Sequence, residues 1–109
     1  MLSQPNRLPS SQRLLKSKFK KTPLFSVKYA QNDLAVSRFG FVVRKTVDKR
    51  AVVRNRIRRV FRSCIEEKLQ TLATGYDMLF FLEKGIMDKS HDEVSNKLEL
   101  LLSEEKLLR

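Results

Sequence analysis

Ala51-Val52-Val53-Arg54-Asn55-Arg56-Ile57-Arg58-Arg59-Val60-Phe61-Arg62-Ser63-Cys64-Ile65 is the stretch on which the fold turns. Val53, Ile57, Val60, Phe61, Cys64, Ile65, Leu69 and Leu72 recur at intervals of three and four, the period that lines one side of an α-helix. A helix is therefore predicted from Ala51 to about Leu72, with Gly75 as its C-terminal cap. At about 100° per residue, Arg54, Arg58 and Arg62 form one row and Asn55 and Arg59 the next, both turned away from the apolar stripe. The helix has an apolar back and a basic front.

Working outward, Arg38-Phe39-Gly40-Phe41-Val42-Val43 precedes the helix and Met78-Leu79-Phe80-Phe81-Leu82 follows it. Each is apolar on both parities, as in a strand packed on both faces, and Gly40 allows a close approach. Strand, helix and strand imply a crossover. Phe25, Val27 and Tyr29 alternate with Ser26 and Lys28, which reads as a half-buried strand, and Gln31-Asn32-Asp33 supplies a turn. That strand is expected to pair with 38–43 as a hairpin. Leu8-Pro9-Ser10-Ser11 reads as the start of a short helix through Leu14 and Leu15, preceded by a flexible tail over residues 1–7. Ser90 with Glu93 forms a capping box before Val94, Leu98, Leu101 and Leu102, so a last amphipathic helix is predicted. Gly85, Asp88 and Lys89 mark the remaining connection. The prediction is an α+β fold, one domain over 8–109, with a central mixed sheet of three to four strands and three helices.

Length and charge narrow the function. A chain of 109 residues is one domain, not a large enzyme. It carries 23 Lys plus Arg against 12 Asp plus Glu, a net charge of +11, which favours a polyanionic partner. Residues 1–62 hold 17 of the basic residues and only Asp33 and Asp48, whereas 63–109 hold 6 basic and 10 acidic residues. Such asymmetry predicts a one-sided electrostatic surface. The single Cys64 excludes an internal disulfide and a cysteine-based zinc site. No apolar run approaches a membrane span and no secretory signal is evident, so a soluble, unprocessed cytoplasmic protein with no membrane partner is expected.

The densest charge lies between Arg44 and Arg62. Arg44, Lys45, Lys49, Arg50, Arg54, Arg56, Arg58, Arg59 and Arg62 face Asp48 alone. Five arginines on one helix repel one another, and phosphate would offset that repulsion. Arginine offers planar paired donors to phosphate, and Asn55 adds an amide that can reach a backbone oxygen or a base edge. A merely solvated face would mix in Glu, and none occurs between Asp48 and Glu66.

Lys45-Thr46-Val47-Asp48-Lys49-Arg50-Ala51-Val52-Val53-Arg54-Asn55-Arg56-Ile57-Arg58-Arg59 resembles the signature of the bacterial ribonuclease P protein family, an Arg-Asn-Arg helix reached through a basic loop. Arg38–Val43 resembles the strand that precedes it, so the likeness is strong over Phe25–Arg62. The resemblance implies a protein that is not itself the catalyst. In that family an RNA subunit holds the Mg²⁺ ions and removes the 5′ leader of precursor tRNA, while the protein binds that RNA and grips the leader. No catalytic residue, metal ligand or protein-bound cofactor is then expected, and the partners are the RNA subunit and precursor tRNA. Lys45, Lys49, Arg50, Arg54, Asn55, Arg56, Arg58, Arg59 and Arg62 match the face toward the RNA subunit. Phe19, Lys28, Tyr29 and Arg44 are the candidate leader contacts. The family fold also implies a left-handed strand–helix–strand crossover, the rare hand.

The chain departs from the family pattern in places. The segment before Phe25 is about four residues short, and Leu14 and Phe19 stand in for paired aromatics of a first helix. Thr46 replaces a common Lys, Arg44 a small residue, and Glu83 a frequent Arg. Phe25 and Tyr29 share a strand face, so either both are core or Tyr29 turns its hydroxyl to solvent, core being favoured; Lys28 then points into the cleft between the sheet and the first helix that the resemblance implies for the leader.

The remaining candidates are bland. His91 has no nucleophile in any recognisable motif and reads as a surface residue. Cys64 reads as a small core residue, Glu66 and Glu67 as helix stabilisers, and the acids of the last helix as a solvated face. A stand-alone RNA-binding or RNA-chaperone module is the alternative, for which the basic helix would suffice. DNA is not an expected partner, because no helix-turn-helix precedes the basic helix.

Overall fold

In the computed structural model, which describes residues 6–9, 14 and 17–109, four strands form one mixed sheet and two α-helices cover one of its faces. Strand β1 spans Lys18–Lys21, β2 Phe25–Gln31 and β3 Arg38–Val42; helix α1 spans Ala51–Glu67, strand β4 Tyr76–Leu82 and helix α2 His91–Glu104. A 3₁₀ turn at Lys84–Ile86 leads into α2. The strand order is β1-β2-β4-β3, with β1–β2 and β2–β4 antiparallel and β3–β4 parallel through α1.

The expected hairpin between β2 and β3 does not form, because β4 lies between them. Both 39–43 and 78–82 are apolar on both parities, yet a sheet this size has room for that pattern in its centre only where neighbours exist on both sides. The seven residues of β4 pair along their whole length with β2 and along five positions with β3. The shorter β3 is displaced outward, where Arg7 bridges to Phe39. Strand β1 had no apolar alternation to announce it: its sequence Lys-Phe-Lys-Lys is exposed throughout, a charged edge that resists pairing with another sheet.

Two α-helices are present among the described residues, not three. The short helix expected near Ser10–Leu15 falls largely outside the described residues, as does the expected tail through residue 5. Asn6 and Arg7 lie against the 37–39 segment, Asn6 Nδ2 donating to the Ser37 carbonyl at 2.9 Å. Helix α1 also stops earlier than its apolar period. Lys68 caps it, and a run of turns carries Leu69 and Leu72 onward with Leu72 fully buried. Gly75 caps no helix: at φ +84° it turns the chain into β4, and its carbonyl accepts from Asn32 N–H at 2.9 Å.

The core lies between the helices and the face of the sheet that carries Phe25, Val27, Tyr29, Phe39, Met78, Phe80 and Leu82, all buried. Phe61 of α1 is its keystone, its ring 5.2 Å from Phe25, 4.9 Å from Phe80 and 5.7 Å from Phe41. Helix α2 starts at the expected Ser90/Glu93 capping box and buries Val94, Leu98, Leu101 and Leu102. At one end of the sheet Arg38 holds Asp77 with two bonds of 2.8 and 2.7 Å, and Asn32 adds a third at 2.9 Å. Burial pushes the Asp77 carboxyl up, but these donors outweigh it and hold it below its ordinary range. No helix among the described residues is long and apolar enough to cross a membrane.

Candidate nucleic-acid interface

The chain leaves β3 at Arg44 and returns at α1 through a loop shaped by one anchor and one carboxylate. Val47 is buried, and its N–H closes a turn onto the Arg44 carbonyl at 2.9 Å. Asp48 accepts from the backbone N–H of Arg50 at 2.8 Å and from its guanidinium at 3.0 and 2.9 Å. The Arg50 side chain, and then its backbone N–H, hold the Asp48 carboxyl down at about 2. Arg54 reaches back and donates to the carbonyls of Asp48 at 2.9 Å and Lys49 at 2.8 Å. Sequence reading placed Arg54 on the open crest alone; the structure makes it a brace for the loop.

Val53, Ile57, Phe61, Cys64 and Ile65 bury the inner side of α1, with Phe61 packed on Phe25, Phe41 and Phe80 of the sheet. Its opposite side presents Asn55, Arg56 and Arg59 as exposed residues, with Arg58 and Arg62 half-exposed. Arg58 donates to the Asn55 side chain. The Arg62 guanidinium sits 5.7 Å from the Phe41 ring centroid. Lys45, Lys49 and Arg50 are exposed beside this crest. All nine residues read from the sequence as one basic face therefore lie on α1 or the loop that starts it, and the acidic residues of α2 lie on another helix.

The leader candidates divide. Directly opposed strand residues share a face, and Phe19, Lys28, Leu79 and Gly40 form one row across the sheet. Lys21, Ser26, Phe81 and Val42 form the next row on that same face, opposite the helices. Arg44 lies over the Phe81 ring, its guanidinium 5.3 Å from the centroid. Phe19, Lys28 and Arg44 thus share one face, although Phe19 is on a strand where a first helix was expected. Phe19 is 61% exposed, an aromatic ring held out of the core. Tyr29 points the other way. Its ring is buried and its hydroxyl donates to Glu105 at 2.6 Å; burial first, and then that bond, push the phenol up to about 12. Gly40 earns its place here: a Cβ would come within 2.9 Å of Leu79 Cδ1.

Sequence reading missed Phe81, which was taken as part of a fully buried strand. Parity was the available signal, since Leu79 and Phe81 alternate with the core residues Met78, Phe80 and Leu82. Among the less prominent candidates, His91 Nε2 lies 2.7 Å from Glu67 Oε1, so it ties the end of α1 to the start of α2. Cys64 is buried, and burial pushes its thiol up to about 11. Among the described residues no three His, Cys, Asp or Glu side chains cluster as a metal site.

Comparison with known proteins gives these surfaces a context. Residues 10–106 match the family model named Ribonuclease P. The ribonuclease P protein component of Microcystis aeruginosa is 36% identical over 66 residues, which cover 61% of this chain and 55% of that protein. The chain likewise spans 60% of the Cyanothece relative, at 33% identity. The component from Mesoplasma florum is 30% identical over 88 residues, covering 80% of this chain and 79% of the relative. Among solved structures, the Staphylococcus aureus RNase P protein superposes with a TM-score of 0.82 at 23% identity, over 95% of this chain and 98% of that one. The Thermotoga maritima RNase P protein gives 0.74 at 24%, over 80% and 82%. These two likenesses establish the fold.

Proposed function

The chain belongs to the ribonuclease P protein family, and on that premise we propose that it is the protein subunit of a ribonucleoprotein endoribonuclease that removes the 5′ leader of precursor tRNA. The observation that carries this reading is the outer side of α1. Five arginines and Asn55 occupy a helix whose other side is locked to the sheet, so the cations are presented on a rigid base without acidic neighbours on that helix before Glu66.

In this reading Lys45, Lys49, Arg50, Arg54, Asn55, Arg56, Arg58, Arg59 and Arg62 form the surface that meets the RNA subunit, Arg50 and Arg54 by holding its loop in shape. Rigid cations of this kind neutralise charge where two RNAs meet, and counterion release supplies the binding free energy. The sheet face opposite the helices, with Phe19, Lys28 and Arg44, takes the leader. Stacking and phosphate contacts there tolerate any base, as processing of many tRNAs requires. Tyr29 stands apart from this surface, with its ring in the core and its hydroxyl bonded to Glu105. We take the β3–α1–β4 connection to run in the left-handed sense that the family likeness implies.

The Mg²⁺ that supplies hydrolytic chemistry belongs, in this proposal, to the RNA subunit. The protein's donor set does not fit the ion: Asp48, the sole carboxylate in the basic region, is held by Arg50 at 2.9 Å. A cytoplasmic location follows from the partners. The test is cleavage of precursor tRNA by a bacterial ribonuclease P RNA at low Mg²⁺, with and without the protein. Stimulated 5′ maturation supports the assignment; tight binding with no stimulation by any cognate RNA would refute it.

A further inference from the structure

Where α1 meets the Lys84–Ile86 turn and the start of α2, the basic crest borders a small cavity of about 200 Å³. Its floor is closed by Ile57 and Ile86, both buried, while Val60 and Met87 stand at its lip, 37% and 40% exposed. Two cations rim it: Arg56, which belongs to the crest, and Lys89, whose contact with Glu93 is a loose 3.9 Å.

We propose that this cavity receives one unstacked nucleobase of the RNA bound along α1, with Arg56 and Lys89 on its flanking phosphates. The proposal rests on the functional reading above. An apolar floor under a cationic rim suits a ligand that is a flat, poorly hydrated ring with an anionic handle, which describes a nucleotide. The volume lies below the roughly 300–1,000 Å³ of drug-sized pockets, so it admits one ring system and little else. Because Arg56 serves both crest and cavity, an RNA strand crossing α1 reaches the lip without leaving the protein. The lining between the cations is aliphatic, apart from the Met87 thioether, which suits the face of an aromatic ring. It offers no hydrogen-bonding side chain to a base edge, so the cavity accepts a base by shape and not by identity.

The methionines supply the test. The full chain, with its methionine methyl groups carbon-13 labelled, is titrated with a bacterial ribonuclease P RNA while binding is followed in parallel by fluorescence anisotropy. The Met87 methyl is expected to move upfield in step with binding, from the ring current of the seated base, while the Met78 methyl, sealed in the core, stays fixed. Met87→Ala should weaken RNA binding about fivefold, the low end of a single base contact, with the salt dependence unchanged. Arg56→Ala should instead lower the salt slope by about one. RNA binding that leaves Met87 unmoved overturns the proposal, and if cleavage is still stimulated the functional reading survives it. A Met87 shift produced by concentrating the protein without RNA assigns the cavity to a second copy of the chain and also overturns it. Failure to bind any RNA overturns both readings together.

Discussion

Arg54→Ala and Arg58→Ala separate the bracing role from the RNA-facing role on one helix face. Arg54 donates to two backbone carbonyls of the loop, at 2.9 and 2.8 Å. A hydrogen bond from a charged donor contributes about 1.5–3 kcal/mol when buried, and less where water can replace it. Lys49 is exposed and Asp48 only half-buried, so the freed carbonyls are rehydrated and the loss falls at the low end, about 1–2 kcal/mol for the pair. For a domain near 100 residues that is a fall in melting temperature of about 4–10 °C. Among the described residues Arg58 bonds only the Asn55 side chain, on the exposed surface, and its removal should stay within about 0.5 kcal/mol. RNA titrations should show a drop in salt slope of about one for Arg58→Ala and little change in slope for Arg54→Ala, whose guanidinium is held by the loop. Arg54→Lys should melt between Arg54→Ala and the parent, since both bonds come from one guanidinium nitrogen and a shorter, more strongly hydrated ammonium replaces it only in part. Thermal unfolding by circular dichroism gives the deciding comparison. An Arg54→Ala protein that melts like the parent would refute the brace, and an Arg58→Ala protein that loses as much would mean the crest itself is structural.

Other perturbations test the frame. Tyr29 sits at about 12 against an ordinary 10.0, so its neutral form is favoured in the fold; the stabilisation is complete below pH 10 and disappears as the pH rises from 10 toward 12. Tyr29→Phe should flatten that part of the decline in urea midpoint between pH 9 and 12, and an unchanged decline would count against the buried phenol. Gly85→Ala should destabilise more than Gly40→Ala in the same measurement. A Cβ at Gly85 meets the Pro23 backbone oxygen at 2.8 Å, whereas at Gly40 it meets the movable end of Leu79 at 2.9 Å. Arg44→Ala removes the cation over Phe81 and should cut the preference of the holoenzyme for precursor over mature tRNA about fivefold. Equal losses for both substrates would move Arg44 to the RNA-subunit side.

What the sequence revealed, and what it hid, follows from which interactions are local. The α1 stripe and the Ser90/Glu93 box are set by neighbours three and four residues away, and both were legible. Strand order depends on contacts across the whole chain. Segments 39–43 and 78–82 carry the same two-sided apolar pattern, and only pairing partners distinguish centre from edge. The Lys-rich β1 lacks any apolar period, because an exposed edge needs none. The RNA-facing candidates were legible as a cluster since they are contiguous on one helix and its loop. Their engagement was not: the carbonyls that hold Arg54 and the ring under Arg62 are invisible to charge counting.

That engagement limits how many phosphates the crest can take. Arg50 is tied to an Asp48 carboxylate that stays ionised down to about pH 2, and Arg54 is tied to the loop. Giving either to a phosphate means breaking bonds that shape the loop itself. Among the described residues Lys45, Lys49, Arg56 and Arg59 are exposed and form no ion pair, and Arg58 and Arg62 keep further donors beyond their present partners. Roughly six phosphates would therefore be neutralised instead of eight, a slope of about −5 for binding against salt on a logarithmic scale. Affinity for duplex regions of the RNA subunit should fall about a thousandfold between 50 and 200 mM monovalent salt. A slope near −7 would show that Arg50 and Arg54 leave their partners on binding. The loop would then be remade by RNA, and Asp48→Asn would tighten binding by sparing Arg50 that exchange. With a slope near −5 the same substitution should leave affinity little changed or weaken it through a looser loop, so the two measurements together decide whether the site is preformed.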